Sequence, residues 1–313
     1  MSAPATSATS ATSSTAEHRS IWTHMMKLPF RQDWIMAGGI NTRYAQAGSS
    51  DKPALLMLHG TAGSWEGFSA NLAAHAPHFN CFAIDMIGSG FSDKPDRDYE
   101  IADYVRHAKD FLDAVGVKRS SIMGCSLGAW VAARFALTHP GATDKLILLS
   151  AAGVFANASN MNRIRNARSK AVSEPTWENI KPIFDHLLQK PEARIPDIIA
   201  VRQAVYREPG MARAMEHILC LQDPDIRPRN LISEAEWKKI NAPTLAIGSL
   251  ADKDEYLETA RLVSKLIPNA RYVEMDGVGH WPQFEDPDVF NKISVEFLLA
   301  PAPLALSGVG TRP

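Results

Sequence analysis

The pentapeptide Gly124-Cys125-Ser126-Leu127-Gly128 constrains this chain more than any other stretch. An apolar run, Ser121 to Met123, leads into it, and an apolar helix-forming stretch, Leu127 to Thr138, leads away. Gly-x-Ser-x-Gly between a strand and a helix makes a sharp turn. The glycines remove the side chains that would otherwise keep strand and helix from closing around the serine. Ser126 then stands at the carboxyl end of a strand, beside the amino end of a helix. A serine that caps the helix would use the same position, and the two roles are compatible.

A serine hydroxyl is too weak an acid to attack a carbonyl unaided; it needs a base, and the base needs a third group to orient it. After such an elbow the partners follow in the order acid, then histidine. Of the 10 histidines, His280 qualifies as the base. It sits in Asp276-Gly277-Val278-Gly279-His280-Trp281, a glycine-rich loop after the last apolar strand, whereas His75, His78, His139 and His217 fall on helices or helix ends. Asp252, just beyond the strand Thr244 to Gly248, is the first candidate for the acid, and Asp254 the second. His59-Gly60-Thr61-Ala62-Gly63 follows the strand Ala54 to Leu58. Backbone N–H groups there, of Thr61 or Ala62, together with that of Leu127, are placed to receive a negative oxygen. Asp85-Met86-Ile87-Gly88-Ser89-Gly90-Phe91-Ser92 lacks the glycine spacing and following helix of a nucleotide loop. It reads as a structural turn.

Around these motifs, short apolar runs alternate with amphipathic stretches, the pattern of a mostly parallel sheet covered by helices. Trp34 to Gln46 reads as an antiparallel hairpin turning at Gly38-Gly39. Further strands fit Ala54 to Leu58, Phe79 to Ile84, Ser121 to Met123, Lys145 to Leu149, Thr244 to Gly248 and Arg271 to Met275. Helices fit Trp65 to Ala74, Ile101 to Val115, Leu127 to Thr138 and Asp288 to Leu299. Between 155 and 240 the alternation stops, and helical patches are punctuated by Pro175, Pro182, Pro191, Pro196 and Pro209. That segment reads as a helical cap inserted into a core of 21–154 and 241–300. Residues 1–20 and 301–313, rich in small residues and proline, read as a disordered and a flexible tail. The start also lacks the charged and apolar parts of a secretory signal.

Composition narrows the function. A formal net charge of −1 without basic runs gives no general attraction to nucleic acid or anionic lipid. No apolar run approaches the ~18 residues that span a bilayer. The three cysteines are far apart and suggest neither a disulfide framework nor a metal motif; they fit a reducing, cytoplasmic setting. The expected partner is a small-molecule substrate, with no metal or organic cofactor.

Taken together the motifs resemble the α/β-hydrolase superfamily over roughly Trp34 to Leu299. The resemblance implies an α/β fold with a mostly parallel eight-stranded sheet and a helical cap. Within the superfamily the chain looks most like the meta-cleavage-product hydrolases, which cut a carbon–carbon bond in vinylogous 1,5-diketones. Ile84-Asp85-Met86-Ile87-Gly88-Ser89-Gly90-Phe91-Ser92-Asp93-Lys94-Pro95 carries this likeness, as do Gly279-His280-Trp281-Pro282-Gln283-Phe284-Glu285 and the cap stretch Pro196 to Arg202. It implies that Arg202 and Trp281 hold the substrate and that the protein forms a homo-oligomer. The chain departs from the family pattern at Cys125, where asparagine is usual, and in its shorter loop Gly60 to Trp65. Hydrolysis of an ester, lactone or amide by the same Ser126, Asp252 and His280 is the alternative. A dehalogenase or epoxide hydrolase would carry aspartate at 126, and a non-catalytic relative would have lost part of the triad.

Overall fold

The computed structural model describes residues 19–301. The tails expected over 1–20 and 301–313 lie outside it, apart from Arg19, Ser20 and Pro301. Arg19 donates to the Glu285 carbonyl at 3.3 Å, while Ser20 and the Ile21 N–H both bond Asp197 of the inserted segment.

Eight strands form one sheet: β1 (Phe30–Ala37), β2 (Ile40–Ala47), β3 (Ala54–Leu58), β4 (Asn80–Ile84), β5 (Ser120–Cys125), β6 (Thr143–Leu149), β7 (Thr244–Ser249) and β8 (Ala270–Met275). Their order is β1-β2-β4-β3-β5-β6-β7-β8. β1 and β2 make an antiparallel hairpin, β2 lies antiparallel to β4, and all other pairs are parallel. The hairpin turns at Gly38 and Gly39, both at positive φ. Every residue of β3, β4, β5 and β7 is buried, as expected of parallel strands covered by helices on both faces.

β3 pairs with β4 on one side and β5 on the other, so the chain reverses direction across the sheet there. In open α/β sheets such a reversal opens a crevice at the carboxyl ends of the strands. The Gly60 loop leaves β3 at that edge, and Ser126 leaves β5 beside it.

Between β6 and β7 the segment 155–240 contains only helical elements among its described residues, chiefly Ala158–Ser173, Trp177–Leu187, Pro196–Tyr206 and Met211–Ile218. Its sequence punctuation has local causes. Asn157 and Thr176 cap the first two helices through their side chains, and Pro196 opens the third. The single helix expected from Trp65 to Ala74 divides into a 3-10 turn, Trp65–Phe68, and an α-helix, Ser69–His75. Phe68, at φ −112°, breaks the helical path.

Candidate active site

Ser126 occupies a backbone conformation that L-residues rarely adopt, φ 56° and ψ −113°. The surroundings enforce it. A Cβ on Gly124 would lie 2.2 Å from the Gly128 carbonyl oxygen, and one on Gly128 would lie 2.1 Å from that of Leu58. Only glycine lets β5, the following helix and β3 converge so closely. The Ser126 N–H donates to Leu149 O at 2.9 Å, and its carbonyl accepts from Ala129 and Trp130. The backbone is thus held from both sides, while the side chain forms no helix-capping bond. Capping, open as a role from the sequence, is not what this hydroxyl does.

His280 enters from the loop after β8. Its Nδ1 lies 2.9 Å from Asp252 Oδ2, and both side chains are almost completely buried. A carboxylate facing Nδ1 selects the tautomer with the proton on that nitrogen and leaves Nε2 as the acceptor. The His280 N–H donates to Leu187 O at 2.8 Å, which ties the loop to a cap helix. The Tyr256 ring packs edge-on against the imidazole, centroids 4.2 Å apart. Asp254, the other acid considered, is engaged elsewhere: it pairs with Arg163 at 2.6 Å and His186 at 3.0 Å. Burial works against its charge, but His186 and Arg163 prevail and hold its carboxyl below the usual range.

Ser126, His280, Thr61, Gly60, Trp281 and Tyr256 border one cavity of about 30 Å³. Gly60 passes so close that a Cβ there would stand 3.3 Å from Ser126 Cβ. Among the described residues the N–H groups of Leu127 and Thr61 form no protein hydrogen bond, so two donors are left free near the serine. His59 braces the loop between β3 and β4. Its ring bonds Gly60 O at 2.7 Å and accepts from the Met86 N–H at 3.0 Å. Burial lowers its pKa to about 4, so the ring is neutral and keeps that pattern at pH 7.

Arg202 and Trp281 take different places. Trp281 lines the cavity and packs edge-on against Phe184, centroids 5.8 Å apart. Arg202 is buried in the helix Pro196–Tyr206 and lies over the rings of Phe184 and Tyr206, at 5.4 and 5.5 Å. One N–H reaches the Tyr206 hydroxyl at 3.4 Å. The arginine thus shares the Phe184 ring with Trp281 and is not among the residues that border the cavity beside Ser126.

Five wall residues were not read from the sequence: Arg163, Ile164, Arg168, Leu187 and Tyr256. Arginines on a helix look like surface residues, and only the packing of Ala158–Ser173 against the helices Trp177–Leu187 and Met211–Ile218 turns these inward. Asp85 is structural, as its motif suggested. It accepts from the N–H groups of Trp65 and Phe91 and pairs with the buried Arg43, which also forks onto Glu66. Cys125 is buried behind the elbow, its thiol directed at the His280 carbonyl at 3.7 Å. Burial pushes that thiol well above its ordinary pKa.

The family model described as the alpha/beta hydrolase fold matches residues 53–287. A 2-hydroxy-6-oxo-6-(2'-aminophenyl)hexa-2,4-dienoic acid hydrolase of Metapseudomonas resinovorans is 27% identical over 285 residues, covering 85% of this chain and 90% of that one. Among solved structures, a 2-hydroxy-6-oxo-6-phenylhexa-2,4-dienoate hydrolase from Rhodococcus sp. strain RHA1 aligns with a TM-score of 0.77 at 22% identity, covering 87% and 100% of the two chains. A bacterial membrane phospholipase A aligns with a TM-score of 0.73 at 22% identity, covering 86% of each. At that identity the structural likeness speaks for the fold alone, and the two structures carry different chemistries on it. Among the described residues no helix is long and apolar enough to cross a membrane. By its family match and its sheet, the chain belongs to the α/β-hydrolase fold family.

Proposed function

We propose that this protein is a serine hydrolase that cuts a carbon–carbon bond beside a ketone, in vinylogous 1,5-diketones formed by aromatic ring cleavage. The observation that carries the catalytic part is the 2.9 Å contact of His280 Nδ1 with Asp252, on the cavity that Ser126 borders at its strained turn. Asp252 orients His280, and His280 Nε2 takes the proton of Ser126 Oγ as it attacks the substrate carbonyl. The N–H groups of Leu127 and Thr61 receive the negative oxygen, each such donor being worth about 3–4 kcal/mol in the transition state. Before the attack, a proton moves onto the substrate's carbon chain while Arg202 and Trp281 hold it. The bond between carbonyl and chain then breaks, the electron pair is delocalised into the vinylogous ketone, and His280 passes the proton it took from Ser126 to the departing dienolate. Water activated by His280 releases the acyl group from Ser126.

Two observations support carbon–carbon cleavage over other acyl transfers. Relatives along nearly the whole chain bear the names of ring-cleavage-product hydrolases, and Trp281, next to the base, borders the cavity. Cys125 favours a second reading, hydrolysis of an ester, lactone or amide. Its buried thiol faces the His280 carbonyl, so it gives substrate no amide of the kind asparagine would supply. Offering a yellow ring-cleavage dienoate and a nitrophenyl ester side by side separates the two. The first reading expects rapid bleaching of the dienoate and slow release of nitrophenol; the reverse order supports the second.

A further inference from the structure

Four arginines are buried among the described residues: Arg43, Arg168, Arg202 and Arg227. Arg43 pairs with Asp85 and Glu66. Arg227 donates to the carbonyls of Phe155 and Leu221 and lies over Trp130. Arg202 has the Tyr206 hydroxyl and two aromatic faces. Arg168 has none of these. It is 8% exposed, and its Nε is buried without a hydrogen-bond partner. The nearby Arg163 is already neutralised by Asp254.

A guanidinium taken out of water without a counter-ion is strongly unfavourable. Arg168 stands on the wall of the cavity that holds Ser126 and His280, and on the wall of a second cleft of about 270 Å³ between two cap helices. Arg202 and Arg163 lie close enough to add repulsion to the burial that lowers the Arg168 pKa to about 10. It still carries its charge at pH 7. Asp254 borders the same cavity but is already shared by Arg163 and His186, and among the described residues no carboxylate pairs with Arg168 to balance it. An anionic ligand supplies that balance, and guanidinium matches carboxylate in shape as well as charge.

We propose that Arg168 is the counter-ion for a second carboxylate, so that the preferred substrate is a dicarboxylate with one anionic end at Arg168. This rests on the cavity being the active site and deepens that reading by naming the substrate class.

The test is binding, which needs no turnover, so loss of the proposed reaction and loss of this recognition give different results. Glutarate and valerate have the same chain length and differ by one carboxylate. Calorimetry on the full-length protein should show glutarate binding at least tenfold more tightly than valerate. In Arg168→Met the advantage should shrink to within threefold, and Arg168→Lys should keep part of it. Equal binding of the two acids by the unaltered protein overturns the proposal, as does a glutarate preference that survives in a folded Arg168→Met. Should Arg168→Met fail to fold, the unaltered protein and Arg168→Lys decide the matter on the same comparison.

Discussion

Asp252 and Asp254 stand two positions apart, and their surroundings divide their roles. Asp252 accepts from His280 and from the Lys253 N–H and meets no cationic side chain of the inserted segment, whereas Asp254 is held by Arg163 and His186 from that segment. Asp252→Asn should leave the fold intact and lower kcat by about 10⁴-fold, because the amide no longer selects the Nδ1–H tautomer. Asp254→Asn should keep kcat within tenfold and act through the cap's contacts instead. Steady-state kinetics of the two variants checks this, and a larger loss in Asp254→Asn would reverse the assignment. At this scale the sequence singled out Ser126 and His280, which border one cavity, through chain order and glycine spacing. It was uninformative for Arg168 and Tyr256. An arginine on a helix turns inward only through the packing of that helix against other helices, which no local pattern encodes.

The elbow is a property of three elements, β5, the helix Leu127–Thr138 and β3, rather than of Ser126 alone. Adding one methyl at Gly124 or Gly128 meets backbone atoms at about van der Waals overlap, 2.2 and 2.1 Å. Neither neighbour is a flexible side chain that could turn away. Gly128→Ala should therefore cost about 3 kcal/mol or more and lower the Tm by more than any surface substitution. Thermal unfolding followed by circular dichroism measures it, and an unchanged Tm would show that the elements part easily. The buried strands were legible because continuous apolar runs bounded by glycine and proline allow little else. The start of the hairpin was not: β1 begins at Phe30, four residues before the expected Trp34, and its first half faces solvent. An exposed edge strand carries no hydrophobic signal. Helix limits shifted by one or two residues at most ends, where caps rather than periodicity decide.

The whole molecule keeps three histidines neutral inside its core. Burial lowers His59, His75 and His107 to about 4 from an ordinary 6.5. Each holds specific partners as a neutral ring: His59 between Gly60 and Met86, His75 between Asn71 and Ser294, His107 between Thr42 and Ile87. The unfolded chain takes up protons on these rings below about pH 6.5, whereas the folded protein resists until about pH 4. The stability they confer is full above pH 6.5 and is lost as the pH falls toward 4. The Tm should begin to drop near pH 6.5, before ordinary carboxylates titrate. A Tm flat from pH 7 to 5 would contradict this. The cap belongs to the same scale. The space beside Ser126, about 30 Å³, is far smaller than the ~300 Å³ or more of a typical ligand site. Arg163, Arg168 and Leu187, shared with the neighbouring cleft, form the wall that must give way for a substrate to enter. Proline spacing marked the segment 155–240 in the sequence, whereas the shape of its interior depends on how separate helices meet.

In the proposed reaction Ser126 performs the attack, in a site built with His280 and Asp252. Turnover of a ring-cleavage dienoate by purified Ser126→Ala, with folding verified by its Tm, tests it most directly. A loss of at least about 10⁴-fold relative to the unaltered protein is expected. Turnover within tenfold of the unaltered protein would contradict it.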